Sequence, residues 1–247
     1  QKTNVAARVS ALTEALRAND LWLRILAAEA LARIGTPAKS AVPEMLERLA
    51  KTDPENDPRG MEQRYLCFSL FNRRGGLIGQ SLEGVDRDLL VKAVRVGLQN
   101  EDGRARGSIG TVYEYLTYDE IKPLLPAIHQ AIVEPAPSGI MFASGIRLSG
   151  VALLAKHRIR EGMPLCIQIM EIDKWGKKNR ITQCLKTLET YGAAAKAVLP
   201  ELRQLEKDLL AHQEARMLAP VIEQIQAMIE KIDSATDTVE LRGIDDP

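Results

Sequence analysis

A chain of 247 residues with 33 Lys plus Arg and 33 Asp plus Glu carries no net charge, which argues against a general nucleic-acid coat, a basic membrane-surface protein or an acidic solvating tail. An apolar share of 45% supplies a core of ordinary size. Aromatics at only 4%, beside abundant Ala and Leu, favour closely packed helices over a β-sandwich.

The spacing predicts a first helix over 4–18 and then a helical hairpin over 20–51. Leu23, Ala27, Leu31 and Ile34 share one face, Gly35 follows as a left-handed cap, and Val42, Leu46 and Leu49 mark the second helix. Residues 51–60 read as a polar, turn-rich connection. A second hairpin over 61–98 contains the glycine-rich stretch 73–84, which lacks the GxxxxGK[ST] order of a phosphate loop. It reads as a long turn between two helices, with a binding loop at one edge as the alternative. Hairpins over 102–134 and 138–171 follow, where Gly139, Gly145 and Gly150 point to close helix packing or a kink. The fifth hairpin, 177–210, repeats the first pattern with Ile181, Leu185, Leu188, then Gly192, then Leu199, Leu202, Leu205 and Leu209. A last helix over 214–232 has Val221, Ile225, Met228 and Ile232 as its inward stripe. Residues 233–247 form a polar tail without a period, expected to be extended or loosely attached to a single domain over 1–232.

Behind these elements lies a repeat. Leu31, Gly35, Ala38, Lys39, Pro43 and Glu44 recur as Leu188, Gly192, Ala195, Lys196, Pro200 and Glu201, at a constant offset of 157 residues. Lys122 and Pro126 keep part of the pattern, and Pro164 keeps little beyond the proline. The prolines sit in the first turn of second helices, where the missing N–H costs little. Such hairpins bury one stripe internally and another against the next hairpin, so the expected fold is all-α, an α-solenoid of about five hairpins with an extra helix at each end.

Chemistry has little foothold. Cys67, Cys166 and Cys184 lie within apolar helical patterns and have neither CxxC nor Cys/His spacing, so they read as small buried hydrophobes. His129, His157 and His212 are scattered without HExxH, and His157 with Glu161 falls at a hairpin turn. No catalytic, cofactor or metal pattern can be singled out, and the expectation is a protein that works without a cofactor. No apolar run approaches the ~18 residues of a membrane span. A start at Gln1 rather than Met points to a processed product or a piece of a longer chain.

Asp20, Arg24, Leu31 and Gly35, followed by Ala41, Val42, Pro43 and Leu46, resemble a HEAT repeat. In that family an Asp near the start of the first helix and an Arg four residues later form polar ladders between neighbours. Here the pair is clear at Asp20 and Arg24, close at Asp102 and Arg106, and missing from the fourth and fifth hairpins. The middle stretch, with Arg73, Arg74, Gly75 and Gly76 and then 137–144, is also similar to the C-terminal HEAT region of large, exported bacterial proteins. That second resemblance implies context and no chemistry.

Charge is distributed unevenly: 135–180 carries a net +5 and 181–247 a net −5. The sharpest part is a loop with Lys174, Trp175, Lys177, Lys178 and Arg180, since exposed aromatics and Arg concentrate binding energy. Together with Arg158 and Arg160 these are the candidate partner-binding residues. The leading expectation is a non-catalytic interaction or scaffolding module, part of a larger bacterial protein, whose partner is another protein or another domain of its parent chain. The alternative is an enzyme of the alkylpurine DNA glycosylase type, a group with a similar HEAT-like fold and length. That resemblance implies a basic concave face and a Trp with an Asp one turn on. The zero balance departs from it, as do Leu26 and Asn179 one turn after Trp22 and Trp175.

Overall fold

The computed structural model describes residues 2–134, 136–138 and 142–246, and among them the regular structure is entirely helical apart from two isolated bridges. Gly139, named above, lies outside the described residues. The chain divides into two compact units, Gln1–Ile146 and Arg147–Pro247. The last helix ends at Ser234, and the residues beyond it belong to the second unit.

In the first unit, α1 (Lys2–Ala15) leads into α2 (Leu21–Ile34), α3 (Val42–Leu49), α4 (Met61–Phe71), α5 (Arg87–Leu98), α6 (Gly103–Ile109), α7 (Tyr118–Ile121) and α8 (Leu125–Val133). First helices stack on first helices, α2 on α4 and α4 on α6, while second helices α3, α5 and α8 follow in their own row. Each row is what a hairpin with two apolar stripes must build, because neither stripe is covered by its own partner alone. The two rows bury Ile25, Leu31, Met45, Leu46, Leu66, Leu70, Leu90 and Ile109 between them.

The sequence repeat has a structural counterpart. A 3-10 turn precedes α3 (Thr36–Ala41), α8 (Lys122–Leu124) and, in the second unit, α12 (Leu199–Ala211, after Gly192–Val198). Pro43, Pro126 and Pro200 are each the second residue of the α-helix that follows. The helix starts are capped as their side chains require. Asp20 accepts from the N–H of Leu23 at 2.7 Å, Asp86 from Leu89 at 3.0 Å and Asp102 from Arg104 at 2.8 Å. Within the polar connection, buried Asp57 accepts from the N–H groups of Met61 (2.6 Å) and Glu62 (2.8 Å).

A buried polar row runs along the starts of the first helices. Arg24 donates through Nε to Glu62 at 2.8 Å and through Nη1 to the carbonyls of Ala18 and Asn19. Glu62 also accepts from Arg48. Arg64, in the matching place on α4, pairs with Asp102 at 3.2 Å, and Arg106 on α6 donates to the carbonyls of Asn100 and Glu134. Neighbouring hairpins are thus joined by charge-assisted bonds as well as by apolar contact.

Glu120 closes the start of α7 in a reciprocal cap with Thr117 and is gripped by Arg87 at 2.5 and 2.8 Å. The hydrogen bond from Arg87 is the main reason its pKa falls from 4.5 to about 2. A carboxylate whose folded pKa is depressed stabilises the fold above its unfolded value, and that contribution fades as pH drops through the folded one. The stability gap between the wild-type chain and Glu120→Gln is therefore expected to shrink between about pH 4.5 and pH 2. Urea midpoints measured across that range check this, and a gap that stays constant would contradict it.

In the second unit, α9 (Ala143–Lys156, within which the division falls) is followed by α10 (Gly162–Ile169), α11 (Lys177–Glu189), α12 and α13 (Ala215–Ser234). The last helix, α13, packs on α11, on α12 and on the 3-10 turn between them. The polar tail is extended, and several bonds hold it. Asp237 accepts from the N–H of Ala193, Arg242 donates to the Arg158 carbonyl at 2.9 Å, and Arg160 N–H returns a bond to the Arg242 carbonyl at 2.8 Å. Asp246 then accepts from Arg160 at 3.1 Å. Gly192, at φ +54, takes a left-handed backbone that favours glycine, and a Cβ there would displace the Asp237 carboxylate.

Candidate interaction surfaces

The residues singled out by charge and by Trp175 fall into three groups. Between α10 and α11 the chain makes a short turn that lifts Trp175 into solvent, 94% exposed. Lys174 and Lys178 flank it, exposed and without an ion pair. Lys177 is instead paired with Glu214 across to the start of α13. Arg158 and Arg160 stand at the α9–α10 turn, exposed, with their backbones bonded to Arg242 of the tail and Arg160 paired to Asp246.

Arg180 corrects the expectation of a partner-facing cation. It is 4% exposed and lies on the inward side of α11, in line with Ile181, Cys184 and Leu188. Its Nη1 donates to the Trp175 carbonyl at 3.0 Å and its Nη2 to the Glu171 carbonyl at 2.6 Å. Burial pushes the guanidinium pKa down, with the Glu171 carboxylate opposing that shift. Arg180 therefore holds the loop from beneath while Trp175 projects from its top. The +5 block is only partly offset within the fold: Arg160 pairs with Asp246 and Lys177 with Glu214, both acids from beyond residue 180, while Arg147 pairs with Glu171 of the block itself at 3.1 Å.

A second surface, on the first unit, is formed in part by the glycine-rich stretch 73–84, for which a binding loop is the alternative expectation. The C-terminal half of α2 and the end of α4, together with the glycine-rich turn, enclose a cleft of about 680 Å³. Arg33, Lys39 and Arg74 border it, along with Glu29, Thr36, Gln80, Ser81 and the 52%-exposed ring of Phe68. The glycine-rich stretch is the long turn expected, and it folds back to cap α4. The N–H groups of Gly76, Leu77 and Ile78 donate to the carbonyls of Asn72, Ser69 and Leu70. Gly76 allows that return, since a Cβ there would lie 2.5 Å from the backbone nitrogen of Asn72. A second groove of about 640 Å³ between α1 and α2 is lined by Ala11, Leu12, Leu26, Ala30 and Ile34. Arg8 also borders the groove, and Glu29 and Arg33 border both hollows.

Among the described residues no group of three or more His, Cys, Asp or Glu could hold a metal ion, and no helix is long and apolar enough to cross a membrane. Buried Cys67 has its thiol pKa pushed up by desolvation, and Cys166 is raised by a hydrogen bond with Cys184 and by burial. Both shifts disfavour a nucleophilic thiolate.

No family model matches the chain, and no curated protein matches it. Among solved structures, the crystal structure of an engineered protein is similar, with a TM-score of 0.55 and 15% identity over 92% of this chain and 98% of that one. At such identity the likeness is one of fold.

Proposed function

We propose that this chain is a non-catalytic protein-interaction module built from HEAT-like helical hairpins and belonging to a larger bacterial protein. The observation that carries the reading is Trp175, 94% exposed between two unpaired lysines on a loop that buried Arg180 fastens. Loss of water from a large indole held in one place supplies binding energy at low entropic cost. Two further features support the HEAT-like part of the reading: the Arg–acid row between neighbouring hairpins and the proline-led second helices. The partner is another protein or another domain of the parent chain.

The test is affinity capture from an extract of the source cells, comparing the wild-type chain with a Lys174→Ala, Trp175→Ala, Lys178→Ala triple variant. A specific partner is expected with the first and should be lost or reduced at least tenfold with the second, at unchanged thermal stability. Equal capture by both would remove this loop as the contact. The same proteins, titrated against a labelled DNA duplex at low salt, should leave its anisotropy unchanged. Tight binding that falls steeply with salt would move the reading to the nucleic-acid class.

A further inference from the structure

We propose that Cys166 and Cys184 are a disulfide site: under oxidising conditions they join covalently, and the bridge fastens α10 to α11, the two helices that flank the Trp175 loop. This inference goes beyond the interaction reading and is independent of what that loop binds.

Three observations lead there. The first is contact. Both cysteines are free thiols and 0% exposed, and α10 packs directly on α11. Cys166 lies on the buried side of α10 with Met163 and Ile169, and Cys184 lies on the buried stripe of α11. The two thiols meet there in a side-chain hydrogen bond. A bond of that kind is weak, so by itself it is a poor reason to bring two sulfurs together in a core. Rotation about the Cα–Cβ bonds, with a small approach of the helices, takes that contact to the ~2.05 Å of a disulfide. The second is the contrast with Cys67. It is the one cysteine of the first unit, and its sulfur packs against α5, 3.1 Å from where a Cβ on Gly97 would lie. With no second thiol in that unit, Cys67 acts as a small hydrophobe. The third is what the bridge would enclose. The ring over 166–184 contains the turn, Trp175 and Arg180. Arg180 ties that turn to α11 by hydrogen bonds to the Glu171 and Trp175 carbonyls. Those bonds open and close, whereas a covalent link keeps the two ends of the turn together throughout and also restricts the unfolded chain.

The oxidant is a small disulfide of the oxidised glutathione class. One thiolate of the pair attacks it, forming a mixed disulfide and releasing one glutathione thiolate. The second protein thiolate then attacks the protein sulfur of that mixed disulfide and expels the other glutathione. The two cysteines lose two electrons and two protons, and one oxidised glutathione becomes two glutathione thiols. Burial bars this exchange from the closed fold, so it takes place while the chain folds or when the helices part locally. In a reducing compartment the same exchange runs backwards and the pair stays open.

The experiment is refolding of the reduced chain from urea in a glutathione buffer, followed by capping of free thiols with N-ethylmaleimide and mass spectrometry. One cap is expected, on Cys67, with the polypeptide mass two hydrogens short and a digest in which the peptides of Cys166 and Cys184 are linked. Cys67→Ser should form the same bridge. Refolded Cys184→Ser should keep Cys67 and Cys166 unlinked to each other. The bridged chain should melt about 5–10 °C above the same chain after reduction, and Cys184→Ser should show no such difference. Three caps on the refolded chain, or glutathione adducts in place of the bridge, would overturn the proposal. So would links to Cys67 as frequent as the link between Cys166 and Cys184, because they would mark chance pairing. A melting temperature that fails to rise on oxidation would overturn it as well, because the helices would then have been displaced to close the bond.

Discussion

Replacing Glu62 by Ala is expected to lower stability by about 3–5 kcal/mol, the usual consequence of removing one member of a buried ionic group. Glu62 pairs with both Arg24 and Arg48, and the side chains of Arg24 and Glu62 are almost wholly buried. Without it the Arg24 guanidinium is left buried without a carboxylate, Arg48 loses its acidic partner, and the join between α2 and α4 loses its polar clasp. Removing Arg24 as well should recover part of the loss. In the Arg24→Met, Glu62→Leu double variant no charge remains buried without a partner apart from Arg48, which is partly exposed and can turn to solvent. Urea denaturation of the wild type, Arg24→Met, Glu62→Leu and the double variant forms a thermodynamic cycle. A coupling energy near zero, or a Glu62→Ala loss below about 1 kcal/mol, would show that the row contributes little to the stack.

How much of this was legible in the sequence depends on the separation over which the physics acts. Helix periodicity and proline position act within a single turn or two, and all five hairpins stand close to their predicted places, from α2 and α3 through to α11 and α12. The 3-10 turns before Pro43 and Pro200 match the repeated Gly, Lys and Pro order for the same reason, and the one before Pro126 matches the Lys and Pro alone. The polar row was only half visible. Asp20 with Arg24 is a local pair on paper, but the partner that Arg24 takes is Glu62, on the next hairpin, and Arg64 finds Asp102 in the same way. Such pairing is fixed by stacking and has no signature in the spacing of either residue. The basic cleft illustrates this further: Arg33, Lys39 and Arg74 come from a helix, a turn and a distant loop, and only the contact of α2 with α4 brings them together. In the tail, lack of a period was a sound guide to extended backbone. It gave no hint that Asp237, Arg242 and Asp246 would each find a partner in the second unit.

Arg180 shows how a local signal can be misread and what it implies for experiment. Its position in the run Lys177, Lys178, Asn179, Arg180 suggests a solvated cationic turn, yet Arg180, Cys184 and Leu188 recur at a spacing of four and belong to one buried stripe. The helix begins at Lys177, so only the first lysines remain at its mouth. Arg180→Ala is therefore expected to behave as a core variant. It frees the part-buried carbonyls of Trp175 and Glu171 and leaves a gap in the buried stripe, so a loss of about 1–3 kcal/mol is expected. Trp175→Ala, by contrast, removes a side chain that touches almost nothing and should shift stability by no more than about 0.5 kcal/mol. Arg180→Lys should fall between these, because a single ammonium does not reproduce the two-pronged grip of the guanidinium. The loop itself supplies a direct readout. In a Trp22→Phe background Trp175 is the one remaining indole, and its steady-state anisotropy should fall when Arg180 is replaced by Ala under conditions where the fold persists. An unchanged anisotropy with lost stability would mean that Arg180 supports α11 alone. Unchanged values of both would mean that the loop is held in place without Arg180.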